Sequence, residues 1–286
     1  ILSLCLTGAL AVPAMALTTS TAEVENAAPI AEDLILKTYK GVAISSRFAA
    51  VDPEGDLVTF QVVDSPARGA VAVDETDPAA FTYTPYEGKK GKDTFTYVAV
   101  DANGNTSKPA TVKVNIQKQT TTVSYSDMSG DPAHFAALHL AESGVYTGRK
   151  VGDLYCFDPD STFSREEFLT MAMTAAGKAP LADVTLTGFY DDDDISAWAK
   201  GYVSAALVVG TVEGSQNGAG QTVFDPNSPV TQAEAAVIID RLLATGDVSG
   251  MTSTFSAETA PAWAYQSVVN MEAVSVLNSS TDLYKP

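Results

Sequence analysis

The sequence predicts a two-part protein, an all-β antiparallel sandwich followed by all-α helix–loop–helix repeats. Two observations carry that expectation. Between residues 27 and 118, short stretches alternate apolar and polar side chains, the period of a half-buried strand. Beyond residue 125, one phrase occurs twice, 67 residues apart: Phe157-Asp158-Pro159-Asp160-Ser161-Thr162-Phe163-Ser164-Arg165-Glu166-Glu167 and Phe224-Asp225-Pro226-Asn227-Ser228-Pro229-Val230-Thr231-Gln232-Ala233-Glu234. Each copy leads into apolar residues in the same register, Phe168, Met171, Ala172 and Ala175 in one, Ala235, Ile238, Ile239 and Leu242 in the other. An internal repeat constrains the architecture before any single residue is weighed.

The first sixteen residues, Ile1–Ala16, form an apolar run ending Ala14-Met15-Ala16, as in the core and cleavage site of a secretory signal. They lack an initiator Met and a basic start, so the expectation is a partial signal peptide over 1–16 and export of the rest of the chain. The run is short for a membrane span, and no insertion is expected once it is removed. Apart from Cys5 in that segment, the one cysteine is Cys156, read as a small apolar residue. Residues 17–26 read as a linker.

Seven strands are expected next: 34–38, 42–46, 58–64, 70–74, 80–84, 94–101 and 110–117. Phe95, Tyr97 and Ala99 share one face, as do Val112, Val114 and Ile116. Seven strands in about ninety residues point to an immunoglobulin-like sandwich over 27–118. A Thr-rich linker, 119–124, leads to the repeats, expected at 125–177, 189–246 and 255–286 with linkers 178–188 and 247–254. In each, a first helix carries an aromatic among small residues (Phe135, Trp198, Trp263), and Trp198, Tyr202, Ala205 and Val209 form its expected buried face in the second. Ser164 with Glu167, and Thr231 with Glu234, have capping-box spacing and start the second helices. Gly177 and Gly246 stand where left-handed caps belong. The third repeat places Tyr284-Lys285-Pro286 where the others have Phe-Asp-Pro, so its second helix is expected beyond the sequence in hand.

The wording of both parts resembles known families. Asn26-Ala27-Ala28-Pro29, Asp52-Pro53-Glu54-Gly55-Asp56, Phe81-Thr82-Tyr83-Thr84-Pro85 and Asp101-Ala102-Asn103-Gly104 resemble bacterial cadherin-like modules, which serve as spacers in surface proteins. The repeated phrase resembles S-layer homology repeats, modules that anchor bacterial proteins to the cell wall. That resemblance implies a three-pronged unit bound non-covalently to pyruvylated secondary cell-wall polysaccharide, with other S-layer subunits as further partners. It also implies a sugar-binding role for Arg165, in Ser164-Arg165-Glu166-Glu167. The second repeat has Gln232 there, which puts its groove in doubt.

The candidate sites each admit a plain reading as well. Arg165 at a helix start is either neutralised by Glu166 and Glu167 on a solvated face or, with free N–H groups, turned toward an acidic sugar. Phe135, Trp198 and Trp263 are core aromatics or stacking platforms. Asp127, expected with Arg165, Phe135, Trp198 and Gln232 among the polysaccharide contacts, opens the first repeat; Asp191, Asp192, Asp193 and Asp194 open the second, where their plain reading is favourable charge near a helix start, and Ala257 stands at the comparable place in the third. Asp52, Glu54, Asp56 and Asp101 are turn acids or an oxygen set for calcium. Asp158-Pro159-Asp160 is not an EF-hand, since Phe163 occupies the glycine position and Leu169 the glutamate position.

Charge narrows the function further. The net charge is −18, and residues 125–286 carry 21 acids against 7 bases. Such a surface repels nucleic acid in bulk, so no nucleic-acid role is expected. His134 and His139 are five apart, wrong for zinc on one helix face, and neither a nucleophile elbow nor a phosphate loop occurs. No enzyme activity is expected within these residues. The reading is an anchoring module of an exported surface protein, with two alternatives: the anchor of a wall-bound hydrolase, or an adhesin whose sandwich binds a ligand.

Overall fold

A computed structural model describes residues 26–248, 253–256, 258–274, 276–278 and 280–286. The expected signal segment and Ala257 lie outside the described residues.

The first part is a two-sheet sandwich. β1 (Ile30–Ala31) pairs with β4 (Ala50–Val51). One sheet has the order β2 (Leu34–Tyr39), β9 (Ala110–Gln117), β8 (Gly91–Val100), β5 (Thr59–Asp64); the other runs β3 (Ile44–Arg47), β7 (Ala80–Pro85), β6 (Gly69–Val73). Alternation in these strands puts Phe81, Tyr83, Phe95, Tyr97, Val112 and Val114 between the sheets, where all six are buried. The polar tips of this aromatic core are satisfied. Tyr83 donates to the buried Asp93 at 2.7 Å, whose carboxylate also accepts from the N–H groups of Ala67 and Arg68. One edge departs from the expected antiparallel pattern: β2 lies parallel to β9.

Among the described residues, the second part contains five α-helices: α1 (His134–Glu142), α2 (Arg165–Ala175), α3 (Ala197–Val208), α4 (Gln232–Leu243) and α5 (Tyr265–Ala273). Two small hairpins precede α2 and α4, β10 (Arg149–Val151) with β11 (Leu154–Cys156), and β12 (Ser215–Gln216) with β13 (Thr222–Val223). Both fall where the sequence reads as loop. The capping boxes at Ser164/Glu167 and Thr231/Glu234 are both formed.

The cores run across the repeat boundaries. Leu169 and Met173 of α2 pack with Ala199, Val203 and Ala206 of α3, and Ala233, Ala236 and Val237 of α4 pack with Val268 and Met271 of α5. Each first helix therefore covers the second helix of the repeat before it. α1 has no such predecessor and packs on the sandwich instead: Tyr39 and Val42 join Val123, Tyr125, Met128, Ala137, Leu138 and Ala141 in one core. Phe135 stacks on Tyr39 at 5.6 Å, and Tyr39 Oη lies 3.2 Å from His139 Nδ1.

Two expectations are corrected. On α3 the buried face is Ala199, Val203, Ala205 and Ala206, while Trp198 and Val209 are exposed; alanines let the helices approach closely, and the indole is turned outward. The apolar stripes have a second side as well: Phe168, Met171, Ala172, Ala175, Ile239 and Leu242 line an apolar groove of about 420 Å³, while Ile238 is in the core and Phe168, Ala172 and Leu242 also pack against it. Finally, Gln232 N donates to Lys285 O and Ala233 N to Leu283 O, just as Arg165 N donates to Ser228 O and Glu166 N to Pro226 O. That matches Asp282-Leu283-Tyr284-Lys285-Pro286 to Asp225-Pro226-Asn227-Ser228-Pro229, three residues away from the register expected.

Candidate functional site

The site is built where α2 meets the second repeat. Ser164 caps the helix, and its hydroxyl accepts from Glu167 N while Glu167 accepts from Ser164 N. The next two N–H groups, of Arg165 and Glu166, donate to Ser228 O at 3.0 Å and Pro226 O at 3.2 Å. These orphan donors of a helix start are thus filled by the neighbouring turn. The expectation of free N–H groups facing a sugar is corrected: the turn has taken them.

Arg165 follows its backbone across the boundary. Its Nε donates to Phe224 O at 2.9 Å, its Nη1 to Glu234 Oε1 at 2.6 Å, and its guanidinium lies 5.4 Å from the Phe224 ring centre. Its side chain is 14% exposed. The plain reading, neutralisation by Glu166 and Glu167, is corrected too: Glu167 is spent on the cap, and Glu166 is buried and accepts from Ser196 N and Oγ. The partner is Glu234, itself the capping-box glutamate of α4.

Beside this contact is a cavity of about 330 Å³. Arg165, Arg241, Glu213, Asp225, Glu234 and Trp263 bring the charges and the aromatic ring to it, and Thr211 to Ser215 form one wall. That wall passes closely over the β12–β13 hairpin at Gly214, where φ is +76° and a Cβ would lie 2.5 Å from the Phe189 ring and 2.7 Å from Val223 O. Arg241 pairs with Glu213 at 3.1 Å and donates to Thr211 O at 3.3 Å. Reading the sequence missed Arg241; it stands one helical turn beyond Val237 and Ile238, which line the same cavity.

Of the other predicted residues, Trp198 is 55% and Trp263 63% exposed, so neither is core, whereas Phe135 is packed against Tyr39 and His139. Trp263 reaches the cavity; Phe135 and Trp198 do not line it. Asp127 holds a turn, accepting from Phe157 N at 3.1 Å and Asp158 N at 2.8 Å. Asp191 does the same for Phe224 N and Asp225 N in the second repeat. Burial raises the Asp127 pKa, but these N–H bonds outweigh it and hold the carboxyl below its usual range. Asp192 is buried with Thr187 and Lys200, and despite burial their hydrogen bonds lower its pKa to about 2. Gln232 contributes its backbone N–H to the third repeat's turn.

Asp127 and Asp158 come within 4.8 Å of Cys156 Sγ, the only such group of potential metal ligands among the described residues. Three of the four sandwich acids accept backbone hydrogen bonds, while among the described residues the Asp56 carboxylate meets only Asn103 Nδ2, at 3.5 Å. Asp52 Oδ1 accepts from Glu54 N and Asp56 N, Glu54 from Ala27 N, and Asp101 from Asn103, Asn105 and Asn26. Asp52 Oδ2 is buried without a partner.

Comparison with known proteins divides along the same line. Residues 26–117 match the family model of the bacterial Ig domain. The chain is 27% identical over 131 residues to the surface-layer 125 kDa protein of Lysinibacillus sphaericus, covering 44% of this chain and 10% of that protein. It is 32% identical over 133 residues to an amylopullulanase of Thermoanaerobacterium thermosulfurigenes, covering 46% and 7%. It is 24% identical over 139 residues to a cellulosome-anchoring protein of Acetivibrio thermocellus, covering 48% and 29%. Each match is longer than residues 1–117 can supply, so each takes in residues beyond the sandwich. The chain spans less than a third of each of these relatives. Together these matches support an Ig-like surface protein. Among the described residues no helix is long and apolar enough to cross a membrane.

Proposed function

We propose that this chain is the anchoring region of an exported surface or S-layer protein, in which S-layer homology repeats hold acidic, pyruvylated cell-wall polysaccharide and the sandwich acts as a spacer. The observation that carries this reading is the cavity where two arginines and an exposed tryptophan converge, in a region whose net charge is otherwise strongly negative. Long-range attraction cannot recruit an acidic polymer to such a surface, so recognition is local. The relatives favour the same reading from another side. A surface-layer protein, an amylopullulanase and an anchoring protein share a similar stretch while differing in name and size, as expected of an accessory module. The amylopullulanase match also favours the alternative in which the anchored protein is a hydrolase.

Co-sedimentation with purified walls tests the proposal. The chain is expected to bind intact walls and to lose binding when acidic substituents are stripped from the polysaccharide. Equal binding to stripped walls would remove the anionic sugar from the account, and no binding to either would remove the anchor.

A further inference from the structure

The sandwich departs from the charge of the helical part. Residues 26–118 hold 10 of the chain's 17 bases, whereas residues 125–286 carry 21 acids against 7 bases. Part of that basic charge is gathered on one flat surface. Strand alternation turns Leu36, Phe95, Val112 and Val114 toward the core. It leaves Ile35 and Lys37 of β2, Lys113 of β9 and Lys92 of β8 exposed on the outer side of the four-stranded sheet. Lys37 and Lys92 stand opposite Asn115 on its two sides, and Lys113 lies two residues along the same strand. Lys92 and Lys113 are diagonal neighbours on antiparallel strands, about 7–8 Å apart. None of the three lysines forms an ion pair among the described residues. The acids at the margin are engaged elsewhere: Asp33 accepts from Thr111 N, and Asp64 from Thr96 Oγ1.

We infer that this lysine face docks on the acidic helical part of a second copy of the chain, at the loop that carries Asp193 and Asp194. Charge complementarity selects that occupant, since every copy brings the opposite charge with it. The lysines meet no acid of their own repeats, and the core that Tyr39 and Val42 share with α1 holds the sandwich in that position. A free polyanion fits less well. Ile35, 74% exposed, stands in the row of Lys113 and Thr94 and offers apolar surface that a polyanion does not use. The loop over residues 186–194 matches it. The buried Asp192 carboxylate accepts from Thr187 N and Oγ1 and pairs with Lys200, which closes the loop. Asp193 and Asp194 stay exposed, in the same loop as the exposed Leu186 and Tyr190. A basic face on an acidic loop is a heterologous contact. Each copy keeps a free patch of either kind, so association propagates head to tail instead of stopping at a dimer. The net charge of −18 opposes it at long range. At about 0.15 M salt the screening length is about 8 Å, which leaves chiefly the local contact.

Sedimentation velocity of the full chain, at rising concentration in about 0.15 M and about 1 M salt, is the test. Open-ended association is expected in the lower salt and its loss in the higher. Lys37→Glu with Lys113→Glu should weaken association about tenfold or more, because like charges then face each other. Lys37→Gln with Lys113→Gln, which only removes charge, should weaken it less. Asp193→Lys with Asp194→Lys should act as strongly as the glutamate pair. All four positions are exposed, so melting temperatures should not change. Mixing the two charge-reversed chains restores opposite charges at the contact and should restore association. A parent chain that stays monomeric at every concentration would overturn the inference. Association that persists in the higher salt would belong to apolar surface, such as the groove lined by Phe168 and Leu242. Lysine variants that associate like the parent, or a mixture that stays monomeric, would show that the wrong faces were chosen. A monomeric chain whose lysine face binds dextran sulfate would hand that face to a polyanion. Wall binding enters none of these readouts, so the anchoring function stands or falls separately.

Discussion

The helices α2 and α4 begin alike and are secured differently. Both carry a complete capping box, and both send the first two N–H groups into the turn of the next repeat. Pro226 is buried under the start of α2, and Leu283 under the start of α4. Only α2 adds a side-chain staple, because its first residue is Arg165 where α4 has Gln232. The difference teaches that the shared core and the backbone bonds suffice to join one repeat to the next. The first side chain is an option added to that joint.

The strongest way to break this comparison is at the two capping glutamates. Glu167→Ala removes a cap and is expected to cost about 1 kcal/mol. Glu234→Ala removes a cap and also strands the shielded Arg165, so about 3 kcal/mol is expected by chemical denaturation. Combining it with Arg165→Gln should recover part of that loss, and strict additivity in the double variant would deny the staple. A smaller contrast lies in the turns. Pro226→Ala uncovers the seat of α2 and should cost about 1 kcal/mol, while the exposed Pro159→Ala should cost no more than about 0.5 kcal/mol. Least of all, Gln232→Arg should change stability by less than about 0.5 kcal/mol, the range of ordinary surface substitutions. The place of the Phe224 ring is taken by Thr281 in the third repeat, so the new guanidinium meets no ring there. A rise in melting temperature of several degrees would mean that the third repeat offers a staple site after all.

Acid should separate the joint from the helices. Glu142, at the end of α1, accepts from the N–H and hydroxyl groups of Thr120 and Thr121. Burial raises its pKa, yet those bonds prevail and bring it down to about 2. A carboxyl lowered on folding adds stability that is present above its unfolded value, near 4.5, and lost as pH falls through about 2. Glu142→Gln should therefore flatten the stability profile between those values. A profile that keeps its slope would assign the acid response to other groups, such as Asp192.

What was legible in the sequence was what is local. The seven longer strands of the sandwich announced themselves by alternation, since facing in or out is decided within the strand itself, whereas the two-residue β1 and β4 were too short to show it. Ser164-x-x-Glu167 and Thr231-x-x-Glu234 predicted helix starts because both partners of a cap lie within one turn. The parallel pairing of β2 with β9 was hidden, as it joins residues more than seventy apart. The Arg165–Glu234 contact, 69 residues across, was hidden for the same reason, and with it the cavity. Trp198 misled because hydrophobicity marks it for the core, whereas Ala199, Val203 and Ala206 allow the closer helix approach.

The sandwich fills for α1 the role that α2 fills for α3 and α4 for α5. It is then no bead on a loose string. Tyr39, Val42 and the clamped threonines couple it to the first repeat, so a sideways push on the sandwich becomes torque on α1 and a pull is borne first by that shared core. The joint works as a bracket, fixing the direction of the sandwich relative to the first repeat.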